Sequence, residues 1–141
     1  MSYKHKTPIQ IRWVDTDMLG HVNNSNHLSY MEMARVSYFK TVLGDTVDWT
    51  KEGIIVAKAT VEYKRPIFLD DKLTVYMRVD QISGRSFNVV YRFVKELDEG
   101  QEQVCAEGST LMVCYDFQKN MSIEMPAEWR KKIRDYEGIH L

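Results

Sequence analysis

A long segment with helical periodicity, flanked by segments with strand periodicity, is the sequence feature that most constrains the fold. From Asn26 to about Leu43 the chain reads NHLSYMEMARVSYFKTVL, with apolar residues at spacings of three and four. These residues are Leu28, Met31, Ala34, Tyr38 and Val42. Others widen the apolar surface beyond one stripe, namely Tyr30, Met33, Val36 and Phe39. Because such a helix has to be covered on most sides, the pattern predicts one long central helix, with Gly44 as its stop.

Strand patterns precede and follow this helix. Ile9, Ile11 and Trp13 alternate with polar residues and predict a first strand over about 7–14. Four more strands are predicted after Gly53, the last of them over about 103–117. The apolar sets on one face of the first three are Ile55, Ala57, Ala59, Val61 and Tyr63; Leu73, Val75, Met77 and Val79; and Phe87, Val89, Tyr91 and Phe93.

The order of these elements predicts an α+β domain with a mostly antiparallel sheet. Pro126 opens a tail in which Trp129 and Ile133 lie four residues apart, which predicts a short terminal helix. One helix covers only part of such a sheet and leaves edges and apolar surface exposed. Pairing with a second copy of the chain covers both, so we expect a homodimer.

Composition excludes several classes of protein. The chain has 141 residues, 44% hydrophobic and 28% charged, with a net charge of -1, as expected for one globular domain over 1–141. Near-neutral charge offers no global attraction to nucleic acid, and no segment is apolar enough for a membrane span or a signal peptide. We therefore expect a cytoplasmic protein with neither nucleic acid nor membrane as partner. Cys105 and Cys114 lie too far apart in one predicted strand for a disulfide and are predicted to be buried hydrophobes.

The loop before the long helix concentrates reactive side chains. RWVDTDMLGHVNN contains two carboxylates, one imidazole and two carboxamides. A helix N-terminus polarises a carbonyl through its free N–H groups and dipole, while a nearby carboxylate attacks or activates water, which suits acyl transfer from a thiol. Composition alone favours a plainer interpretation, in which Asn23, Asn24, Ser25 or Asn26 caps the helix. The loop has no phosphate-binding glycine pattern, GxSxG nucleophile or HExxH metal pair.

The segment IRWVDTDMLGHVNNSNHLSYMEMARVSYF resembles the signature loop and central helix of the hotdog-fold 4-hydroxybenzoyl-CoA thioesterase-like family. VEYKRPIFLDDKLTV and QISGRSFNVVYRF resemble the family's following strands, so that the resemblance covers about residues 7–136. It implies a hotdog fold, an antiparallel sheet wrapped around one long central helix. It also implies hydrolysis of acyl-CoA, or of an acyl carrier protein thioester, to a carboxylic acid and a thiol. Coenzyme A is part of the substrate, so neither a separate cofactor nor a metal is expected.

The resemblance also implies roles for the loop residues. The second aspartate of the family's loop is the catalytic carboxylate, as nucleophile or general base, and this residue is Asp17 here. Asp15 is expected to brace the loop. The family's oxyanion donor is a backbone amide seven residues past the aspartate, which is Asn24, and His21 is an auxiliary group near the thioester. His27 stands where relatives commonly have tyrosine, and we expect it to alter the acyl pocket.

Further residues are implied as catalyst or substrate contacts. Glu32 is a reserve catalyst, because a second class of hotdog thioesterases uses a glutamate on the central helix, although an ion pair with Arg35 is the plainer interpretation. The groups implied near coenzyme A, in a groove between subunits, are Lys64, Arg65, Arg85 and Ser86. For each single cation, solvated surface charge is the plainer interpretation. The predicted lining of the acyl pocket is Tyr30, Ile55 and Ala57.

Two other functions remain open at this point. A hotdog hydratase also binds acyl-CoA, but it needs a paired acid and base, and its loop does not resemble this one. A protein with the same fold that binds acyl-CoA or acyl carrier protein without turnover is the alternative outside enzymology, and the intact Asp17, Gly20 and His21 argue against it. The acyl chain and the choice between homodimer and homotetramer are not determined by the sequence.

Overall fold

The computed structural model describes residues 2–138, which form six strands and two helices. The strands are β1 (His5–Ile9), β2 (Glu52–Tyr63), β3 (Leu73–Ile82), β4 (Ser86–Glu96), β5 (Glu102–Asp116) and β6 (Met121–Ser122). The helices are α1 (Asn26–Val42) and α2 (Ala127–Glu137). Neither helix is long and apolar enough to cross a membrane.

The strands form one antiparallel sheet in the order β1-β3-β4-β5-β2, with the short β6 paired to the end of β5. β3, β4 and β5 follow one another as neighbours, whereas β2 returns to pair with β5, from Glu52 opposite Asp116 to Tyr63 opposite Ala106. The two edges of the sheet are therefore β1 and β2. Within residues 2–138, the outer edge of β2 has no strand partner.

The core lies between α1 and one face of the sheet. α1 buries its side chains at helical spacing: His27, Tyr30, Met31, Ala34, Tyr38, Phe39 and Val42. The sheet contributes alternate residues of β3 and β4: Leu73, Val75, Met77, Val79, Phe87, Val89, Tyr91 and Phe93. α2 adds Trp129 and Ile133, which are both buried. Period-2 strands and a period-3.6 helix thus place their apolar faces against each other.

Most of the predicted elements are confirmed. α1 ends one residue before the predicted Leu43, and Gly44 follows with a φ of 54°, a conformation that favours glycine. β5 and the terminal helix lie where the patterns predicted them. Cys105 and Cys114 are free and buried, as expected.

The first strand is shorter than predicted. β1 ends at Ile9, and Trp13–Asp15 forms a 3-10 turn in place of a strand end, which leaves Trp13 78% exposed. The turn forms because the Asp15 carboxylate accepts hydrogen bonds from the Arg12 backbone N–H and side chain. Alternation of apolar residues in 9–13 was therefore a misleading signal.

The predicted face of β2 is also wrong in part. A bulge between Val56 and Lys58 shifts the register against β5, so the residues on the two sides of Ala57 exchange faces. Ile55 therefore does not share the core-facing side of Val61, which packs against the core. An extra residue in a strand leaves no sequence pattern of its own, and alternation alone cannot reveal it.

α1 is not covered on most sides within one protomer. Leu28, Met33 and Val36 are 48%, 47% and 63% exposed, on the side of the helix that faces away from the sheet. The predicted ion pair between Glu32 and Arg35 is also wrong, because Arg35 Nη1 donates a hydrogen bond to the Tyr91 hydroxyl at 3.1 Å. The sheet therefore covers one side of α1 and leaves an apolar strip on the other.

Candidate active site

Asp15 braces the loop between β1 and α1, as predicted. Its carboxylate, 2% exposed, accepts hydrogen bonds from Arg12 N, Arg12 Nη2 and the Tyr30 hydroxyl at 3.1, 2.9 and 2.7 Å. Burial alone would raise the pKa of Asp15, but the hydrogen bonds from Arg12 and Tyr30 outweigh it and hold the pKa below its usual value. The Asp15 carbonyl also accepts Asn23 N–H and Asn26 Nδ2 at 2.8 and 2.9 Å. One buried aspartate thus joins both ends of the loop.

Tyr30, a predicted pocket residue, belongs to this brace. It is 2% exposed, and burial, together with the hydrogen bond to Asp15, raises the pKa of its phenol. Its hydroxyl therefore stays protonated and donates to Asp15. Tyr30 lies in the core and does not line the neighbouring cavity.

Asp17 lies at the exposed end of a tight hairpin. Its Oδ1 accepts the N–H groups of Leu19 and His21 at 2.9 and 3.1 Å, and its N–H donates to His21 O at 2.7 Å. Gly20, with a φ of 80°, makes the turn possible. Oδ2 accepts no hydrogen bond from residues 2–138. One carboxylate oxygen is thus fixed by the backbone and the other is free to react.

The start of α1, a few residues after this hairpin, offers a free donor. Asn23 Oδ1 accepts the Ser25 N–H and hydroxyl at 3.0 and 2.9 Å, so a side chain of the loop satisfies this part of the helix start. The Asn24 carbonyl accepts the Tyr63 hydroxyl at 2.9 Å. The Asn24 N–H, by contrast, has no acceptor in the part of the chain that the structure describes. This donor at the positive end of the helix dipole is suited to an oxyanion.

A cavity of about 240 Å³, called the loop cavity below, brings several predicted residues together. Its lining is His21, Val22, Asn24, His27, Tyr63, Lys64, Arg65, Pro66 and Ile67. The predictions for His21, Asn24, Lys64 and Arg65 thus converge on one place, although no pattern indicated Tyr63. Asp17 does not line this cavity, but it is hydrogen-bonded to the backbone of His21, which does.

His27 packs in the wall of the loop cavity. Its ring centroid lies 4.7 Å from that of Tyr63 and 5.1 Å from that of Phe93. Burial lowers the pKa of His27, although the nearby carbonyls of Asn23 and Asn24 act in the opposite direction. A neutral imidazole therefore occupies this position.

The two cations of the loop cavity differ in whether a carboxylate neutralises them. Lys64 Nζ lies 3.1 Å from Glu107 and 3.7 Å from Glu62, so two carboxylates already neutralise it. Arg65 is exposed and forms no ion pair with any described residue. Of the two, Arg65 has the charge that is available to an anionic ligand.

Other predicted residues lie at the opposite end of the sheet. Arg85 Nη1 donates to Ser122 O and Oγ at 2.8 and 3.3 Å, and Ser86 begins β4 beside it. The Arg85 carbonyl accepts Cys114 N–H, whereas Cys105 O accepts Lys64 N–H. Cys105 and Cys114 are nine residues apart on β5, which corresponds to about 30 Å. Arg85 and Ser86 therefore do not meet the loop cavity within one protomer.

A second cavity of about 740 Å³ lies at that opposite end, and we call it the Trp49 groove. Its lining includes the predicted residues Glu32 and Ile55, whereas Ala57 is exposed in the bulge. The other apolar lining residues are Val36, Phe39, Val47, Trp49, Ile54, Val56 and Met112. Among residues 2–138, no three His, Cys, Asp or Glu side chains are placed to hold a metal ion.

The chain is similar to known proteins in sequence and in fold. The long-chain acyl-CoA thioesterase FadM of Escherichia coli (strain K12) is 29% identical over 131 residues, which cover 91% of this chain and 96% of FadM. A crystal structure of a thioesterase complexed with coenzyme A and Zn from Thermus thermophilus is 30% identical, with a TM-score of 0.85, and covers 99% of this chain and 98% of its own. The probable thioesterase YbaW from Escherichia coli is 25% identical with a TM-score of 0.79, over 94% and 98% of the two chains.

The family comparison agrees with these relatives and with the predicted hotdog fold. The family model of the Thioesterase-like superfamily matches residues 11–133, which include the aspartate loop, α1 and β2 to β5. The antiparallel sheet packed on one long helix is the architecture of the thioesterase structures to which the chain is similar. The chain therefore belongs to the Thioesterase-like superfamily and is a hotdog-fold thioester hydrolase.

Proposed function

We propose that the chain is an acyl-CoA thioesterase, which converts acyl-CoA and water into a carboxylic acid and coenzyme A. One observation supports this most directly. Asp17 keeps a free carboxylate oxygen, and the Asn24 N–H, seven residues further along the same loop, has no acceptor among the described residues. A nucleophile or base and an oxyanion donor are the groups that thioester hydrolysis requires. The names of FadM and of the coenzyme A-bound relative agree with this substrate class.

In the proposed mechanism, the thioester carbonyl oxygen accepts the Asn24 N–H as negative charge develops on it. The α1 dipole stabilises the same charge. Asp17 Oδ2 either attacks the carbonyl carbon and expels the coenzyme A thiolate, or removes a proton from a water that attacks this carbon. In the second route the C–S bond then breaks, and the thiolate takes up the proton from Asp17. In the first route, water then hydrolyses the acyl-aspartate anhydride. His21, whose N–H holds Asp17 Oδ1 at 3.1 Å, keeps the carboxylate in place in both routes.

We further propose that the complete site forms between two protomers of a homodimer. β2 is an edge strand, and it and α1 expose apolar residues: Leu28, Met33, Val36, Ile55 and Val56. The loop cavity and the Trp49 groove lie at opposite ends of β2. Antiparallel pairing of two β2 edges about a two-fold axis brings the loop cavity of one protomer towards the groove of the other. Glu32, Ile55, Ala57, Arg85 and Ser86 then approach Asp17 from the partner, and two such dimers can pair into a homotetramer.

The proposal also includes a cytoplasmic location and the absence of a separate cofactor. Two free buried thiols are typical of a reducing compartment. Fractionation of cells that express the chain at native level tests the location, and recovery in an extracytoplasmic fraction contradicts it. Turnover by protein treated with a metal chelator tests the absence of a cofactor, and we expect it to equal that of untreated protein.

The deciding experiment is the release of free thiol from a panel of short-chain, long-chain and aromatic acyl-CoA esters and one acyl carrier protein thioester. Wild-type protein is compared with Asp17→Asn. Turnover that depends on Asp17 supports the proposal and identifies the acyl class. Binding of the esters by folded protein without turnover contradicts it and favours a ligand-binding protein of the same fold.

A further inference from the structure

A partly buried ion pair lies behind the loop that contacts His21. Lys95 of β4 is 8% exposed, and its Nζ lies 3.2 Å from Asp71 Oδ2 and 3.2 Å from the carbonyl oxygen of Pro66. The pair joins the end of β4 to the connection between β2 and β3. A buried ammonium without such partners is costly, so the pair holds this connection in one position.

Both members of the pair act on Phe68. Asp71 Oδ2 accepts the Phe68 N–H at 2.7 Å, and the Asp71 N–H donates to the Phe68 carbonyl at 3.0 Å. The Nζ of Lys95 lies 5.2 Å from the centroid of the Phe68 ring, within the range of a cation–π contact. The backbone and the ring of Phe68 are therefore fixed by the same two charges.

Phe68 in turn contacts the candidate active site. Its ring lies 4.9 Å from the His21 ring at an interplanar angle of 80°, and the two residues form an isolated antiparallel bridge. His21 holds both the N–H and Oδ1 of Asp17 through its own backbone. Contacts thus continue from Lys95 to Asp17, although neither Lys95 nor Asp71 lines the loop cavity.

We propose that Lys95 and Asp71 are positioning residues, whose ion pair fixes Phe68 and thereby the orientation of His21 and the Asp17 hairpin. The kinetic part of this inference rests on the proposed thioesterase function, whereas the structural part concerns only Phe68 and His21. A displacement of about 1 Å in reacting groups costs about 10²-fold in rate. A pair that acts on Asp17 from behind therefore changes kcat more than KM.

The first test observes the His21 ring by NMR. The Phe68 ring at 4.9 Å shifts the His21 Cε1–H resonance, which His21→Gln assigns and Phe68→Leu calibrates. We expect Lys95→Met to move this resonance towards its position in Phe68→Leu, and Lys95→Arg to restore it. Lys131→Met is the matched control, because it removes an exposed ion pair with Asp135 on α2, and neither of these residues lines the loop cavity. An unmoved resonance in folded Lys95→Met overturns the proposal.

The second test is a double-mutant cycle on the hydrolysis of an accepted acyl-CoA. We expect Lys95→Met and Asp71→Asn each to lower kcat at least about tenfold with little change in KM, and the double variant to be no worse than the poorer single variant. The inference is contradicted if the losses in kcat add in the double variant, or if the variants change only KM. If Lys95→Met does not fold, Lys95→Gln takes its place in both tests. A wild type that hydrolyses no thioester argues against the proposed function and leaves the NMR result decisive for the positioning role.

Discussion

The loop cavity and the Trp49 groove lie at opposite ends of β2 and have opposite characters. The loop cavity is small, about 240 Å³, and its walls include His21, Asn24, Lys64 and Arg65. The Trp49 groove is three times as large, about 740 Å³, and its walls are mainly aromatic and aliphatic. One end has groups that react with a thioester or bind an anion, and the other has surface for an apolar chain. A protomer alone does not place the two together, which is why we propose a site shared between protomers.

The two ends also differ in how their polar groups are held. At the loop end, the buried Asp15 carboxylate accepts the hydrogen bonds of Arg12 and Tyr30. Asp17 Oδ2 and the Asn24 N–H have no partner among the described residues. At the groove end, Arg35 is bound to Tyr91, and Arg85 is bound to Ser122. Arg35 and Arg85 are already paired and are poor candidates for chemistry. We therefore expect the reacting carboxylate at the loop end, where Asp17 Oδ2 and the Asn24 N–H are both free, rather than at Glu32 in the groove.

The largest expected effect tests this assignment through one carboxylate at each end. Asp17→Asn should lower the rate of acyl-CoA hydrolysis by at least about 100-fold, because an amide neither attacks nor accepts a proton. The amide oxygen still accepts the N–H groups of Leu19 and His21, so the hairpin and the melting temperature should be retained. The matched control is Glu32→Gln at the groove end, with an expected loss below about tenfold. If the two effects are reversed, Glu32 is the catalyst.

The next effect concerns stability and compares one carboxylate at each end, Asp15 and Asp45. Asp15→Asn places an amide N–H against the donors of Arg12 and Tyr30 and should lower the free energy of unfolding by about 1–3 kcal/mol. Asp45→Asn, at the exposed rim of the Trp49 groove, should change it little. Urea unfolding of both variants provides the measurement. Equal stability of the two variants contradicts the brace.

The lowered pKa of Asp15 predicts the pH dependence of the same measurement. A folded-state pKa below the unfolded value means that the contribution of Asp15 is complete above about pH 4 and is lost as pH falls through the folded pKa. The difference in stability between wild type and Asp15→Asn should therefore be constant from about pH 5 to 7 and shrink only in acid. A difference that instead grows in acid contradicts the sign of the shift.

The sequence predicted the loop end of the comparison better than the groove end, because the loop is local. Asp15, Asp17, His21 and Asn24 lie within ten residues, and a helix start follows them, so spacing alone placed them together. The long-range partners left no such signal. Lys95, Asp71 and Phe68 act on the loop from distant parts of the chain, and no period or motif connects them with it.

Predictions for the groove end failed where register or pairing decides. The bulge at Ala57 exchanged the faces of β2, and the contact between Arg35 and Tyr91 replaced the expected helical ion pair. Within one protomer, Arg85 and Lys64 lie at opposite ends of β5, so their predicted grouping in a groove between subunits stays a prediction. Such distances depend on strand pairing, which a single sequence does not determine.

A smaller effect tests whether the two ends meet across a dimer. Ile55→Lys places like charges on both edges of the proposed β2 pair and should shift the protein from dimer to monomer, with a loss of at least about tenfold in hydrolysis per protomer. Met121→Lys, on the exposed face of β6, is the matched control and should remain a dimer. Light scattering gives the oligomeric state of each variant, and kinetics on the same samples give its rate of hydrolysis per protomer. A fully active monomer shows that one protomer holds the complete site.

The smallest effect separates the two neighbouring cations of the loop cavity. Arg65→Ala should raise KM for acyl-CoA about threefold, as expected for an exposed charge that binds a phosphate, and added salt should reduce the difference. Lys64→Ala should change KM less, because Glu107 and Glu62 already neutralise that ammonium. The acyl-pantetheine thioester, which lacks the nucleotide phosphates, should show no difference between wild type and Arg65→Ala. If KM for acyl-pantetheine rises equally, Arg65 acts on the acyl or thioester part, and the phosphates of coenzyme A are bound elsewhere.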